Sequence, residues 1–121
     1  MKSVYIAGPI RAYKPDGSID WWRVKENMDY AQRIGWMLEQ AGFDVTCPHD
    51  ESWPKTVELI LNTGKPGTPD VMATDKAKLA RCDCVLFIGA WEASAGCKVE
   101  HDYAVSIGKP IFTDIRALLE T

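Results

Sequence analysis

One carboxylate interrupts an apolar helical stripe in the segment SAGCKVEHDYA, residues 94–104. If a helix begins at the glycine, positions three, four and seven apart share a face, and Glu100 then lies in line with Cys97, Ala104 and Ile107. Burying a lone carboxylate costs free energy unless it has a partner. We therefore expect Glu100 to line a cleft, where its charge is available for chemistry.

The turn before this helix, from Ser94 to Gly96, offers a hydroxyl and backbone N–H groups that suit a phosphate or a sugar hydroxyl. The alternative is an ordinary N-cap, in which Ser94 satisfies the first turn of the helix. Arg11 favours ligand binding, because it follows the first apolar run of the chain and an arginine binds phosphate in bidentate fashion. An exposed surface arginine is the alternative for Arg11.

Two more carboxylates need a role. Asp83 directly precedes an apolar run, so we expect it at the amino end of a sheet as a turn or cap residue. Asp75 lies in a predicted helix whose N-terminal end is at the same edge as Glu100, and it is the second candidate for catalysis. Its alternative role is that of a solvated first-turn carboxylate favoured by the helix dipole.

Four short apolar runs predict the buried strands that position these residues. Helical patterns separate the runs, and this alternation is typical of parallel βαβ units. We predict one domain over residues 1–121, a flavodoxin-like α/β three-layer sandwich with a mostly parallel sheet of four to five strands in the order 2-1-3-4. The runs are VYIAG (4–8), FDVTC (43–47), CVLFIG (84–89) and PIFT (110–113).

Three helices are expected between the strands. The first begins at about Ile19 or Asp20, a candidate N-cap, and runs to Ala41, with Gly42 as its stop. The second spans residues 70–81, and the third contains Glu100. Their core-facing positions are Val24, Met28, Ala31 and Leu38 in the first helix and Val71, Ala77 and Leu79 in the second.

A long surface excursion is predicted between Pro48 and Asp70, because prolines and glycines flank its one apolar run, TVELIL, which is a candidate for a short helix.

A crevice is predicted where the strand order reverses, at the carboxyl ends of strands 1 and 3. The segments GPIR (8–11) and GAWEASAG (89–96) border it. We expect substrate to bind there, and the candidate binding residues are Gly8, Pro9, Ile10, Arg11, Ser94 and Gly96.

The segments YIAGPIR and GAWEASAGCKVEHDYAVSIGKP, with Asp75 between them, resemble the nucleoside 2-deoxyribosyltransferase superfamily. The resemblance is strongest to its small phage and bacterial members of the DUF4406 type and to the deoxynucleoside 5′-monophosphate N-glycosidases. It extends from Tyr5 to Pro110. The spacing of Ser94, Gly96 and Glu100 is its most specific part.

The resemblance implies an enzyme in which Glu100 attacks the anomeric carbon of a deoxyribosyl group, while Asp75 binds the base or protonates it. It also implies that Ser94 and Gly96 hold the 5′ end and that Arg11 lies near a 5′-phosphate. The residue types suit this chemistry, because a carboxylate stabilises or captures an oxocarbenium-like transition state, as in retaining glycosidases. The implied substrate is a small nucleoside or nucleotide, with no metal and no organic cofactor.

Two alternatives stay open on the sequence. One is a TIR-like NAD glycohydrolase, which also uses a glutamate on a small parallel-sheet domain. The other is a non-catalytic nucleotide-binding module, in which Glu100 pairs with Arg11 or with a backbone amide.

The bulk composition limits the classes of partner. A formal charge of −3 gives no general attraction to nucleic acid or to an anionic membrane surface. No apolar run approaches the roughly 20 residues that cross a bilayer, so we expect a cytoplasmic protein. The four cysteines lack a regular framework, which indicates reduced thiols and no zinc site.

A homodimer or higher homo-oligomer is expected, because the first helix carries large apolar residues beyond its core-facing stripe. They are Trp22, Tyr30, Trp36 and Met37. The resemblance points the same way, since relatives assemble so that neighbouring subunits close each other's sites. Trp21, Trp22, Trp53 and Trp91 are candidates to stack on a base, with core or interface packing as their alternative.

Overall fold

The computed structural model describes residues 2–48, 52–62 and 71–121 of the chain. Its sheet has four parallel strands in the order 2-1-3-4, as the sequence predicts. Tyr5 lies at the centre of the sheet, opposite Thr46 on one side and Val85 on the other. The strands are β1 (Ser3–Ala7), β2 (Asp44–Thr46), β3 (Cys84–Phe87) and β4 (Ile111–Phe112).

Five helices accompany the sheet: α1 (Trp21–Gln40), α2 (Trp53–Asn62), α3 (Val71–Arg81), α4 (Ala95–Ser106) and α5 (Ile115–Leu119). A short 3₁₀ turn, Trp91–Ala93, precedes α4. None of the helices within the described ranges is long and apolar enough to cross a membrane.

The first helix begins and ends where the sequence predicts. The Asp20 side chain accepts a hydrogen bond from the backbone N–H of Arg23 at 3.1 Å, which makes it the N-cap of α1. Gly42 ends the helix with a φ of +93°, a left-handed conformation that glycine adopts without the strain of a side chain. The whole predicted stripe of α1 is buried.

The excursion after β2 contains a longer helix than the run TVELIL indicates, because α2 already begins at Trp53. Its Trp53 ring packs edge-on against Trp21 at 6.1 Å between centroids, which places the start of α2 beside the start of α1. Residues 49–51 and 63–70, including the predicted helix start at Asp70, lie outside the described residues.

Two core positions differ from the sequence prediction. Ala77 is exposed whereas Leu79 is buried, because residues two apart on a helix point in nearly opposite directions. Ile107 is 42% exposed, since α4 ends at Ser106 and Ile107 is its C-cap. Cys97, Glu100 and Ala104 are buried, as the predicted stripe requires.

Helices cover both faces of the sheet, which gives the three-layer arrangement. Alternate residues of each strand enter opposite layers, so that Val4 and Ile6 pack on the side of α1 and α5. We call this side the apolar face. Tyr5 and Ala7 point to the side of α3 and α4, which we call the carboxylate face because Glu100 lies there.

Asp83 joins the amino ends of β1 and β3, as predicted for a turn or cap residue. Its Oδ2 accepts hydrogen bonds from the backbone N–H of Ser3 at 2.8 Å and from the Ser3 hydroxyl at 3.1 Å. These contacts hold the pKa of the Asp83 carboxyl below its usual value. Asp83 is therefore a structural residue at the edge opposite the predicted crevice.

Candidate active site

Glu100 and Tyr5 form a buried hydrogen-bonded pair. Glu100 is 7% exposed and Tyr5 is fully buried, and the Tyr5 hydroxyl donates to Glu100 Oε2 at 2.5 Å. The elements explain the meeting: Tyr5 leaves the middle of β1 toward the carboxylate face, and Glu100 lies on the inward stripe of α4. The carboxylate thus has a partner, although it remains shielded from water.

Burial determines the electrostatics of this pair. Desolvation raises the pKa of Glu100 from its ordinary value of 4.5 to about 7, against the hydrogen bond from Tyr5, which lowers it. The negative charge of Asp75 adds a smaller upward contribution. Burial and the neighbouring Glu100 charge raise the pKa of the Tyr5 hydroxyl, so Tyr5 stays protonated and acts as the donor.

The packing of α3 against α4 puts Asp75 near enough to Glu100 for its charge to act on that carboxyl. At the start of the two helices, the Met72 methyl group lies 3.6 Å from the position that a Cβ of Gly96 would occupy. Further along the two helices, Lys76 of α3 lies over the Tyr103 ring of α4, at 5.4 Å from its centroid. These contacts fix α3 beside α4. Asp75 lies between Met72 and Lys76, the two residues of α3 that make them.

Asp75 is half-buried, and desolvation raises the pKa of its carboxyl while Lys78 opposes the shift. It is the fifth residue of α3, which begins at Val71, so the alternative of a first-turn carboxylate is wrong. A carboxyl group with a raised pKa beside a second buried carboxylate is an arrangement that suits proton transfer.

Ser94 is the N-cap of α4, because its Oγ accepts a hydrogen bond from the backbone N–H of Cys97 at 3.3 Å. The structural alternative for Ser94 is therefore confirmed. The same turn carries Gly96 and opens at the carboxyl end of β3, one turn of helix before Glu100. Whether Ser94 and Gly96 also bind a ligand stays a prediction.

The segment after β1 has clear structural roles. Gly8 passes so close to β3 that a Cβ would lie 2.7 Å from Ile88 Cγ1, which explains a glycine there without any ligand. The Ile10 carbonyl accepts a hydrogen bond from Asn27 Nδ2 at 3.2 Å, which ties the segment to α1. Pro9 is half-buried and Arg11 is exposed in this segment, and an approach of Arg11 to the Ser94 turn stays a prediction.

Aromatic side chains lie near the carboxyl ends of the strands. Trp91 stacks on His101, with ring centroids 5.2 Å apart, and contacts Phe87 at 4.8 Å. Trp22, in contrast, is 79% exposed on α1. Trp91 and the pair of Trp21 and Trp53 therefore have packing contacts, whereas Trp22 is exposed and makes no ring contact among the described residues.

Tyr5 is the residue that the sequence interpretation missed as a part of the site. The available signal was its hydroxyl: β1 is otherwise aliphatic apart from its first residue, and a buried tyrosine needs a hydrogen-bond partner. Strand alternation alone puts Tyr5 on the opposite face from Val4 and Ile6. The helix that supplies the acceptor could be identified only from the packing of α4 on the sheet.

A metal centre has no ligand set in the part of the chain that the structure describes, since no group of three or more His, Cys, Asp or Glu side chains there is arranged to hold an ion. The described residues of the site contribute two carboxyl groups and a phenol.

Comparison with known proteins gives one assignment. No curated protein sequence matches the chain significantly. The sequence profile of DUF4406, a domain of unknown function, matches residues 2–113, a range that includes the described site from Tyr5 to Glu100. The chain therefore belongs to the DUF4406 family.

Proposed function

We propose that this protein cleaves, or transfers at, the N-glycosidic bond of a 2′-deoxynucleoside or its 5′-monophosphate, with Glu100 as the nucleophile. The observation that supports this most is the buried Glu100 carboxylate held by the Tyr5 hydroxyl at 2.5 Å. A carboxylate kept out of water at a cost in stability is more readily explained by chemistry than by folding.

In the proposed first step, Glu100 Oε1 attacks the anomeric carbon C1′ of the sugar. The C1′–N bond breaks and its electron pair leaves with the base, through an oxocarbenium-like transition state. The Tyr5 bond to Oε2 orients the carboxylate and leaves Oε1 to react. Water or a second base then attacks C1′ of the glycosyl ester; the C1′–Oε1 bond breaks with its electron pair returning to Glu100, and the attacking group gives up its proton to the conjugate base of the acid that protonated the first base, or to solvent.

Asp75 is proposed to bind the leaving base or to give it a proton. Desolvation raises the pKa of Asp75, so a larger fraction of its carboxyl groups carries a proton near neutral pH than for an exposed aspartate. Its position on α3, packed along α4, puts this acid on the same side of the sheet as Glu100.

The 5′ end of the substrate is proposed to lie between Arg11 and the turn at Ser94 and Gly96. Backbone N–H groups at a helix start and an arginine suit a phosphate better than a hydroxyl. We expect Arg11→Ala to lower kcat/KM on a deoxynucleoside monophosphate by about 10- to 100-fold and to leave the nucleoside reaction unchanged. Arg81→Ala, at the far end of α3, is the matched control; equal rates of the parent protein on both substrates would contradict the phosphate site.

The deciding experiment incubates the protein with deoxynucleosides, their 5′-monophosphates, ribonucleosides and NAD, and measures free base by chromatography. Base release from a deoxynucleoside or its monophosphate that is lost in Glu100→Gln supports the proposal. Release of nicotinamide from NAD alone would favour the glycohydrolase alternative. Saturable binding without any product would favour the non-catalytic module.

A further inference from the structure

The outward side of α1 carries large apolar side chains. Trp22 is 79% exposed and Trp36 is 62% exposed, and Tyr30 and Met37 are each nearly half exposed. With Asp29 and Arg33 they lie opposite the buried side of the helix, and we call these six residues the outer stripe of α1. Within the described parts of the chain, the packing of one copy leaves both tryptophans largely uncovered.

An open hollow of about 660 Å³ lies on this surface, bordered by Asp29, Gln32, Arg33, Trp36 and Met37. All of these residues belong to α1, so the hollow is a depression along a single helix and not an enclosed ligand cavity. The apolar face of the sheet separates α1 from Glu100, and the outer stripe points still further away. This surface is therefore distinct from the candidate active site.

The exposed aromatic side chains of the outer stripe present a sizeable apolar area. At roughly 150–250 Å² for each aromatic side chain, the exposed fractions of Trp22, Trp36 and Tyr30 amount to about 300–400 Å². A patch of that size on a soluble protein is commonly functional. It would form the apolar centre of an interface to which each partner contributes roughly 800 Å², with polar side chains supplying the rest of the area.

Charges along the stripe indicate which partner fits. Trp22, Asp29 and Trp36 recur at intervals of seven residues, and Arg33 follows Asp29 by one turn. In a two-fold contact, residue i of one copy meets j of the other and j meets i. An antiparallel pair of α1 helices centred between Asp29 and Arg33 puts each carboxylate against the other copy's guanidinium.

We propose that the outer stripe of α1 pairs with the same stripe of a second copy, antiparallel, about a two-fold axis between Asp29 and Arg33. An axis at Asp29 or at Arg33 would bring like charges together, whereas an axis between them pairs each carboxylate with a guanidinium. The Lys25 ammonium already holds the Asp29 carboxylate in place within its own helix, at 2.5 Å. The interface is independent of the proposed enzymatic function.

Charge reversal tests both the interface and its register. Light scattering over a micromolar concentration series should give twice the chain mass for the parent protein. Asp29→Arg faces Arg33 of the other copy, and Arg33→Asp faces Asp29, so each variant alone should weaken the dimer by about 100-fold or more. Mixed in equal amounts, the two variants regain both opposite-charge pairs, and the mixture should return to twice the chain mass.

The controls keep this test decisive. Asp102→Arg makes the same charge change at an exposed position of α4 and should leave the dimer intact. Trp36→Ser should weaken the dimer without altering charge, and circular dichroism checks that each variant is folded. A monomeric parent protein, a dimer that both charge reversals leave intact, or a mixture that stays monomeric would overturn the proposal.

Discussion

The two faces of the sheet bury different chemistry, although the same strands supply both. On the apolar face, Val4 and Ile6 of β1 pack against Ile34 and Leu38 of α1, and every member of that cluster is apolar. On the carboxylate face, the intervening Tyr5 donates to the buried Glu100. The hydrophobic effect accounts for the first face, whereas the second contains a charge that folding alone would exclude.

The buried carboxyl of Glu100 lowers the stability of the folded protein. A carboxyl whose pKa lies at about 7 when folded and at 4.5 when exposed destabilises the folded protein near neutral pH by on the order of 3 kcal/mol. This figure already includes the Tyr5 hydrogen bond, which lowers the pKa of Glu100 and so reduces the penalty. A sequence selected for stability alone would place a neutral side chain there, so the carboxylate face is where function should be sought.

The largest expected effect is on base release, and it distinguishes the carboxylate face of the sheet from the apolar face. Glu100→Gln keeps the volume and removes the nucleophilic charge, so base release should fall by several orders of magnitude, on the order of 10³-fold or more, while the melting temperature holds or rises. Ile34→Ala on the apolar face should do the reverse: a loss of about 2–5 kcal/mol in unfolding free energy with kcat retained. Product chromatography and thermal unfolding measure the two effects.

A matched control for the first variant is Glu92→Gln, the same change at an exposed residue of the 3₁₀ turn before α4. It should leave both activity and melting temperature at the parent values. Near-normal base release by Glu100→Gln would remove Glu100 from the mechanism. The two faces of the sheet would then differ only in how their side chains pack.

The fold was predictable because each part of it follows a local rule. Apolar runs of strand length gave the strand order, and Asp20 and Gly42 gave both ends of α1. The errors occurred where local sequence patterns do not decide the structure. Ile107 belongs to the predicted stripe but falls just beyond the last turn of α4. The start of α2 at Trp53 depends on packing against Trp21, which the sequence does not state.

The candidate site was predictable in part. The spacing from Ser94 to Glu100 places the carboxylate on the inward stripe of α4, and the structure buries it there. The hydrogen-bond partner of Glu100 could not be predicted in the same way. Tyr5 is 95 residues from Glu100 in sequence and meets it only through the packing of α4 on β1. Gly8, assigned to substrate binding, has a packing role that only the distance to Ile88 reveals.

A pH series of stability should sharpen the comparison. Because the pKa of Glu100 is raised on folding, the unfolded chain loses this proton near pH 4.5 while the folded protein keeps it up to about pH 7. The folded state then binds more protons, so its stability falls as pH rises through this window and levels off above it.

The difference in unfolding free energy between Glu100→Gln and the parent protein should therefore grow by on the order of 3 kcal/mol from pH 4.5 to 7, in favour of the variant. Urea unfolding at fixed pH values measures this difference. Ile34→Ala should keep the same pH slope as the parent protein, because it perturbs only the apolar face. Parallel curves for the parent protein and Glu100→Gln would show that Glu100 is not buried as a titrating group.

The smallest expected effect concerns the hydrogen bond that distinguishes Tyr5 from its aliphatic neighbours in β1. Tyr5→Phe keeps the ring in the core and removes the donor that lowers the pKa of Glu100, so that pKa should rise further above 7. If the ionised carboxylate is the nucleophile, the pH at half-maximal kcat/KM should move upward by about one unit, and activity should recover at higher pH. Tyr30→Phe, the same change on the exposed side of α1, is the control and should leave the pH profile in place. A uniform loss of activity at every pH would mean that Tyr5 only supports the packing of α4.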